Sequence, residues 1–172
     1  EKGYEQARKA GEVLSKIKFD EIFSSPLSRA AETAITINKS FKRDQNIFFD
    51  KDLLEVDLNS WSGLTIDEIK NKSPEIYSIW KNNPENLTLK RGDKNYQPIK
   101  ELFNQADIFI KKILKRHIED KDDKNILIIG HNAILRCLIL SLIGKPKKGF
   151  RKIRLDNASF SILNLSKQKN SF

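Results

Sequence analysis

Three polar side chains in this sequence have surroundings that suit chemistry on an anion. His131 follows a run of four aliphatic residues at 126–129 and precedes an apolar helical pattern at 133–143. Arg29 stands near the start of another predicted helix, and Glu55 lies between apolar neighbours in a loop rich in acidic residues. Arginine and histidine bind oxyanions, and histidine and glutamate transfer protons, so these positions are candidates for a reaction on a negatively charged group.

The surroundings of His131 predict a site at one edge of a parallel sheet. Four consecutive aliphatic residues after the charged segment 121–124 indicate a strand buried on both faces, as in the middle of such a sheet. His131 then lies where the strand ends and a helix begins, which is where open α/β sheets bind ligands and where free N–H groups favour an anion. The alternative is a histidine that only turns the corner, and local geometry alone does not separate the two.

The position of Arg29 predicts a phosphate contact. Ser25 and Pro26 suit the N-cap and the first position of a helix, so Arg29 lies in the first turn. A guanidinium beside the positive end of a helix dipole gains nothing unless an anion joins it. An ion pair with Glu32, or exposure to water, is the alternative.

Glu55 is a candidate general acid. Apolar neighbours make a carboxyl group hold its proton more firmly, which a proton donor requires. Most loop carboxylates are only solvated, so this residue needs support from its position in the fold.

The remaining hydrophobic patterns favour an α/β fold. Apolar spacing predicts helices near 4–17, 26–41, 65–70, 73–81 and 97–117, and strands near 19–24, 46–49, 126–129 and 159–165. Residues 86–97 are polar and contain glycine, which predicts a mobile surface loop. His117 falls at the basic end of a predicted helix, where the helix dipole explains it.

The composition limits the class of protein. A chain of 172 residues with 38% apolar side chains suits one globular domain over residues 1–172. The longest apolar run is too short to cross a bilayer, and the first residues do not form a signal peptide. The lone Cys137 allows no internal disulfide and favours a cytoplasmic location, and two distant histidines with one cysteine give no metal-ligand spacing.

The net charge of +9 suits an anionic partner. The densest basic cluster, at 145–154, raises the alternative of a nucleic-acid surface, but it contains no aromatic residue for base stacking except Phe150 and no nucleic-acid motif. A solvated face, or a rim that attracts small anions, is the favoured interpretation. We expect neither a nucleic-acid nor a membrane partner, and the sequence leaves the oligomeric state open.

Four groups of residues follow one another along the chain: Gly3-x-x-Gln6-Ala7; Ser24-Ser25-Pro26-Leu27-Ser28-Arg29-Ala30-x-x-Thr33-Ala34; Leu54-Glu55-x-x-x-x-x-Trp61-x-Gly63-Leu64; and Gly130-His131-Asn132-x-x-x-Arg136. In this order they resemble the motifs of the histidine phosphatase superfamily, also called phosphoglycerate mutase-like. The resemblance implies a three-layer α/β sandwich, with a mostly parallel central sheet and helices on both faces.

The resemblance also assigns roles to single residues. Arg29 matches the arginine of the phosphate pocket, Glu55 the proton donor to the leaving oxygen, and His131 the second pocket histidine, which binds phosphoryl oxygens. The backbone N–H of Asn132 adds a further donor to the phosphate. Fixed cations and N–H groups stabilise the charge of a phosphoryl group in transfer, and no metal or organic cofactor is implied.

The family's first motif, Arg-His-Gly at the end of the first strand, does not occur in the sequence. Its histidine is the nucleophile that becomes phosphorylated, and neither His131 nor His117 matches it. The chain contains no methionine and opens within a helical pattern, so we expect an N-terminally truncated domain whose first central strand lies upstream.

The resemblance leaves three functions open. The short segment between Glu55 and His131 favours a phosphomonoesterase that acts on small phosphorylated metabolites through a phosphohistidine. A phosphoglycerate mutase, or a domain that binds phosphorylated ligands without chemistry, is the alternative.

Overall fold

The computed structural model describes residues 1–145 and 147–165. Within these residues the α-helices and β-strands follow one another as α1 (Lys2–Leu14), β1 (Glu21–Ser24), α2 (Ser28–Asn38), β2 (Ile47–Phe49), α3 (Ile66–Lys72), α4 (Pro74–Asn82), β3 (Leu89–Arg91), β4 (Lys94–Tyr96), α5 (Pro98–Arg116), β5 (Ile126–Ile129) and α6 (Asn132–Leu142). Short 3-10 turns lie at Lys51–Leu53, Asn59–Trp61, Pro84–Asn86 and Lys147–Lys152.

In the described part of the chain, the main sheet contains three parallel strands in the order β2-β1-β5. In the central strand β1, Ile22 stands opposite Ile47 of β2 and Leu127 of β5. Successive side chains of a strand point to opposite faces, so Ile22 and Phe23 enter two different layers of the protein. Both are buried, which makes β1 the centre of the fold.

Helices cover both faces of this sheet. On one face Ile22 and Ile129 pack with Leu14 of α1 and with Ala34 and Ile37 of α2. Gly11 lets α1 approach α2 closely, because a Cβ atom there would lie 2.9 Å from the Cβ of Ser40.

On the opposite face Phe23 packs in a larger cluster with residues of α5 and α6, among them Leu102, Phe109 and Ile134. The predicted α/β fold, with a parallel sheet between two layers of helices, is therefore confirmed.

The prediction that residues 86–97 form a loop is wrong, because two strands lie within this segment. Here β3 and β4 form an antiparallel hairpin whose turn contains Gly92 with φ of 62°. Leu87, Leu89 and Tyr96 are buried against Trp61, and these apolar side chains fix the hairpin although most of its residues are polar.

Two predictions about strands also need correction. In β5 only Ile129 is fully buried, and the preceding three residues are half-buried, because β5 lies at an edge of the sheet among the described residues. Residues 159–165 form no strand, and Phe160 and Ile162 are exposed. A segment with alternating side chains forms a strand only when a partner pairs with its backbone, and in the described part of the chain this segment has none.

Two further observations concern the helices and the lone cysteine. Among the described residues, no helix combines the length and apolarity that a bilayer span requires. Cys137 is fully buried in α6.

Candidate functional site

The ends of two neighbouring strands form the candidate site. Ser24 of β1 stands opposite Ile129 of β5, and the backbone N–H of Ser25 donates to the carbonyl of Ile129 over 3.0 Å. The chain leaves β1 toward α2 and leaves β5 toward α6 from the same edge of the sheet. This is the carboxyl edge, as the sequence predicted for His131.

His131 is buried at this edge and is hydrogen-bonded to Ser25, the residue that follows β1. Its Nε2 and the Oγ of Ser25 share a hydrogen bond of 2.8 Å, and the ring is 7% exposed. Burial lowers the pKa of His131, the positive charge of Arg29 lowers it further, and the charge of Glu55 acts in the opposite direction. The imidazole is therefore neutral near pH 7, and both Arg29 and Glu55 lie within electrostatic reach of it.

Ser25 has a role that the sequence did not reveal. It was predicted as the N-cap of α2, and its Oγ does accept a hydrogen bond from the backbone N–H of Leu27 over 3.3 Å. The helix begins only at Ser28, however, and the same Oγ orients His131. A contact between residues 106 positions apart leaves no local pattern in the sequence.

Glu55 lies on the N-terminus of α6. The backbone N–H of Ala133 donates to both carboxylate oxygens, over 3.2 and 3.3 Å, and the N–H of Val56 donates to Oε1 over 2.9 Å. A helix N-terminus favours a negative charge, and here that charge belongs to a side chain of the protein. Glu55 and His131 are thus neighbours at the start of one helix.

Side chains of α5 hold the loop that carries Glu55. The Nε2 of Gln105 donates to the carbonyl groups of Asp52 and Leu54, over 3.1 and 2.9 Å. Lys112 contacts the carboxylates of Asp50 and Asp52 at 2.7 and 2.6 Å. Nothing in the local sequence pointed to these contacts, which fix the backbone on the N-terminal side of Glu55.

Arg29 is the second residue of α2 and is exposed. The structure records no hydrogen bond or ion pair for its guanidinium within residues 1–145 and 147–165. The alternative partner, Glu32, instead accepts a hydrogen bond from the hydroxyl of Tyr4 over 2.5 Å. Arg29 therefore offers its donors to an incoming anion.

Asn132 is the first residue of α6, and its side chain donates to the carbonyl of Leu155 over 2.9 Å. The side chain thus links the start of the helix to the segment after Lys147–Lys152, and only its backbone N–H is a candidate phosphate donor.

His117 lies away from the site. It contacts Glu21 at 2.9 Å and Asp120 at 2.8 Å, at the amino end of β1. Its partners are carboxylates, so the helix dipole alone does not explain its position.

The site offers one cation, that of Arg29, together with N–H donors and one carboxylate. In the described parts of the chain, no group of three histidine, cysteine or acidic residues is arranged to hold a metal ion. The arrangement suits an oxyanion that accepts hydrogen bonds while a nearby carboxyl group exchanges a proton.

The comparisons with known proteins agree with this geometry. The model of the histidine phosphatase superfamily (branch 1) matches residues 1–172. The chain is 26% identical to phosphoserine phosphatase 1 of Hydrogenobacter thermophilus over 170 aligned residues. This alignment covers 99% of this chain and 76% of that protein. It is 34% identical over 162 residues to a probable 2-carboxy-D-arabinitol-1-phosphatase of Arabidopsis thaliana, covering 94% of this chain and 31% of the plant protein. The chain therefore spans about three quarters of the first relative and about a third of the second.

Solved structures share the fold. The α-ribazole phosphatase of Shigella flexneri matches with a TM-score of 0.75 and 24% identity, over 91% of this chain and 73% of that one. A mycobacterial glucosyl-3-phosphoglycerate phosphatase matches with a TM-score of 0.76 and 23% identity, over 91% of this chain and 74% of that one. At these identities the likeness shows the common architecture.

Proposed function

The chain belongs to the histidine phosphatase superfamily, and we propose that Arg29, Glu55 and His131 form the phosphoryl-transfer site of a phosphomonoesterase. The predictions of this family and of a phosphatase are confirmed, since the relatives named above are phosphatases. The roles of single residues are part of the proposal. The observation that carries them is that Glu55 and His131 meet at the N-terminus of α6, with Arg29 in electrostatic reach.

Arg29 and His131 bind the phosphoryl oxygens in this proposal. A guanidinium presents two parallel N–H groups to an oxyanion, and Arg29 has no competing acceptor in the described part of the chain. A neutral imidazole donates one hydrogen bond from either ring nitrogen, depending on its tautomer. The backbone N–H of Asn132 supplies a further donor. Donors that are in place before the reaction stabilise the charge that develops on the transferred group.

Glu55 supplies a proton to the leaving group. An alkoxide is a poor leaving group, and transfer of a proton to its oxygen lowers the barrier to cleavage of the P–O bond. In the first step a histidine nitrogen forms a bond to phosphorus, the ester P–O bond breaks, and the departing oxygen takes the proton of Glu55. In the second step water attacks the phosphohistidine, Glu55 accepts a proton from the water, and orthophosphate and the free histidine are released.

The nucleophile of this mechanism is a histidine that the chain does not contain. His131 is assigned to the phosphoryl oxygens, and His117 is bonded to carboxylates at the opposite edge of the sheet. The family resemblance assigns the nucleophile to an Arg-His-Gly motif at the end of a strand. Among the described residues β5 has no partner on its outer edge, which supports this assignment, because a parallel strand paired there would end next to Gly130 and His131.

The proposed substrates are small phosphorylated metabolites, and release of free phosphate is the favoured outcome over transfer within a phosphoglycerate. The names of the relatives support this class, because phosphoserine and 2-carboxy-D-arabinitol 1-phosphate are small anionic phosphate esters.

The test is hydrolysis of p-nitrophenyl phosphate by the full reading frame that contains this chain, in the presence of a metal chelator. We expect metal-independent turnover. Arg29→Ala and His131→Ala should each lower kcat/KM about 100-fold or more, as loss of one transition-state donor does. Arg43→Ala is the matched control, because Arg43 is an exposed arginine in the turn after α2, outside the site.

Two results would count against the proposal. Turnover that survives Arg29→Ala and His131→Ala unchanged would remove these residues from the site. Binding of orthophosphate without any turnover would instead identify a phosphate-binding domain without catalytic activity.

A further inference from the structure

A further arginine, Arg136, lies in α6, the helix whose N-terminus contacts Glu55. Arg136 is one helical turn beyond Asn132, so the two residues share a face of α6. Its Nε atom is buried and has no hydrogen-bond partner within the described residues. An arginine has five N–H donors, and a buried donor without an acceptor is costly, so this position calls for an acceptor.

Arg151 approaches Arg136 from another part of the chain. Its guanidinium lies 4.6 Å from the ring centroid of Trp80 and donates to the Trp80 carbonyl over 2.6 Å. Phe150 stands next to both arginines, with its ring centroid 5.4 Å from the guanidinium carbon of Arg136 and 5.8 Å from that of Arg151. We call Arg136, Arg151, Phe150 and Trp80 the two-arginine cluster.

Contacts among the described residues do not balance the charges in this cluster. Arg91 and Arg116 pair with carboxylates. The structure records no ion pair for Arg136 or Arg151 in residues 1–145 and 147–165.

Burial lowers the pKa of Arg151, and the charge of Arg136 lowers it further. Burial likewise lowers the pKa of Arg136, whereas the charge of Glu55 opposes that shift. Two positive charges thus lie close together, with one carboxylate in electrostatic reach.

That carboxylate does not neutralise the cluster by direct contact. Its oxygens accept hydrogen bonds from the backbone N–H groups of Ala133 and Val56. The cluster thus offers guanidinium donors that no carboxylate of the described residues contacts. The phosphoryl group is already assigned to Arg29 and His131, so the acceptor that fits here is a second anionic group of the substrate.

We infer that the two-arginine cluster binds a carboxylate group of the substrate, beside the site that binds its phosphoryl group. This inference rests on the proposed function and narrows its substrate class to phosphate esters that carry a carboxylate. A carboxylate is planar and matches the paired N–H groups of guanidinium. The aromatic rings of Phe150 and Trp80 hold the guanidinium planes in place through cation–π contacts and leave their remaining donors to the ligand.

The test compares two substrates that differ by one group. O-phosphoserine and O-phosphoethanolamine share a phosphate ester and an amine, and only phosphoserine carries a carboxylate. For the full reading frame that contains this chain, we expect kcat/KM to be at least about tenfold higher for phosphoserine, on the scale of one charge-assisted hydrogen bond. Phosphoglycolate and ethyl phosphate form a second pair that lacks the amine, and the same preference is expected.

Variants of the cluster test its part in this preference. Arg151→Ala should lower the ratio of the two kcat/KM values about tenfold, and Arg136→Lys should lower it too, because lysine keeps the charge but loses the planar pair of donors. Lys152→Ala is the matched control, since this exposed cation is adjacent to Arg151 in the chain and outside the cluster, and its ratio should equal that of the wild type.

The outcomes separate the inference from the proposed function. Turnover of p-nitrophenyl phosphate with a wild-type ratio near one would overturn the carboxylate subsite and leave the phosphatase proposal standing. A ratio in Arg151→Ala equal to that of the wild type would also overturn it. If no phosphate ester is hydrolysed at all, the proposed function fails and the inference fails with it. A wild-type ratio near one would overturn the carboxylate subsite even if a variant does not fold.

Discussion

Burial and the charge of Arg29 both oppose protonation of His131, and the charge of Glu55 is the smaller, opposing influence. In the proposed function a neutral ring is useful, because it donates a hydrogen bond to a phosphoryl oxygen without requiring the protein to bury another cation beside Arg29. The hydrogen bond with Ser25 fixes the ring at the end of β5. The proposed ligand would therefore meet a ring that is already held in place.

The lowered pKa of His131 predicts how stability depends on pH. In the unfolded chain the ring regains its ordinary pKa of 6.5, so below that value the unfolded state binds more protons than the folded state. The free energy of unfolding should therefore fall as the pH drops from 7 through 6.5 and below, and it should rise again when the pH is raised. Urea denaturation at several values between pH 5 and 8 measures this slope.

The substitution His131→Asn isolates the contribution of this ring. Asparagine keeps a polar side chain but does not titrate, so the free energy of unfolding should depend less steeply on pH between 5 and 7 than in the wild type. Equal slopes in the two proteins would contradict the assigned pKa shift.

At the residue scale, the sequence predicted Arg29, Glu55 and His131 as candidates because each stands at a recognisable junction or within a family motif, and the structure places Glu55 and His131 together. It did not predict Ser25 as the partner of His131 or Gln105 as a support of the Glu55 loop. Both contacts join residues far apart in the chain, and such pairs follow from the packing of elements rather than from local spacing.

At the scale of elements, α5 determines where the Glu55 loop lies. Gln105 binds the carbonyl groups on either side of Leu53, and Leu53 itself is fully buried. We predict that Gln105→Ala displaces Glu55 and slows reactions that need its proton. The kcat for ethyl phosphate should fall about tenfold, a part of the effect of losing a general acid. The kcat for p-nitrophenyl phosphate should change much less, because nitrophenolate leaves without a proton.

Asn104→Ala is the matched control for this prediction, as an exposed amide on the same helix. It should leave both rates as in the wild type. If Gln105→Ala slows the two substrates equally, Gln105 acts on the fold or on phosphate binding and does not position the proton donor.

The face of α5 that packs against the sheet contributes buried side chains to the larger hydrophobic cluster. Leu102 is 3% exposed within the core, whereas Leu114 on the same helix is 51% exposed. Leu102→Ala should lower the free energy of unfolding by about 2–5 kcal/mol, and Leu114→Ala by less than about 0.5 kcal/mol. Urea denaturation of the two variants measures the difference, and equal effects would contradict the assigned orientation of α5.

The elements that the sequence predicted poorly are those whose structure depends on partners. The hairpin of β3 and β4 is polar along most of its length, and it forms because Leu89 and Tyr96 bury against Trp61. Residues 159–165 alternate as a strand does, yet they have no strand partner among the described residues. Long amphipathic helices such as α5 were predicted well, because their backbone hydrogen bonds are local.

At the scale of the whole molecule, the parallel sheet brings the ends of β1 and β5 together, and the candidate site lies there. Arg29 follows β1, His131 follows β5, and Glu55 reaches the start of α6 from a loop after β2. The family motifs predict this architecture from the sequence alone, since they lie in order along the chain. The edge of β5 that has no partner among the described residues and the two-arginine cluster emerge only from the assembled fold.

The positive charges that give the chain its net charge of +9 are distributed unevenly with respect to ion pairs. Many basic side chains pair with carboxylates on the surface, as Arg8 does with Glu12 and Lys9 with Glu5. Arg29, Arg136 and Arg151 have no recorded ion pair in the described residues. Arg29 lies in electrostatic reach of His131, Arg136 in reach of Glu55, and Arg151 in reach of Arg136. An anionic substrate therefore meets unpaired positive charge where the reaction is proposed to occur.

Binding of orthovanadate, measured by isothermal titration calorimetry, tests most directly whether Arg29 and His131 share one phosphoryl site. Vanadate adopts the geometry of a phosphoryl group in transfer, and an enzyme binds such an analogue more tightly than its substrate. We predict one vanadate per chain, with Kd raised about tenfold or more by Arg29→Ala and by His131→Ala, and unchanged by Arg43→Ala. Equal affinity in all four proteins, or no binding to the wild type, would contradict the account.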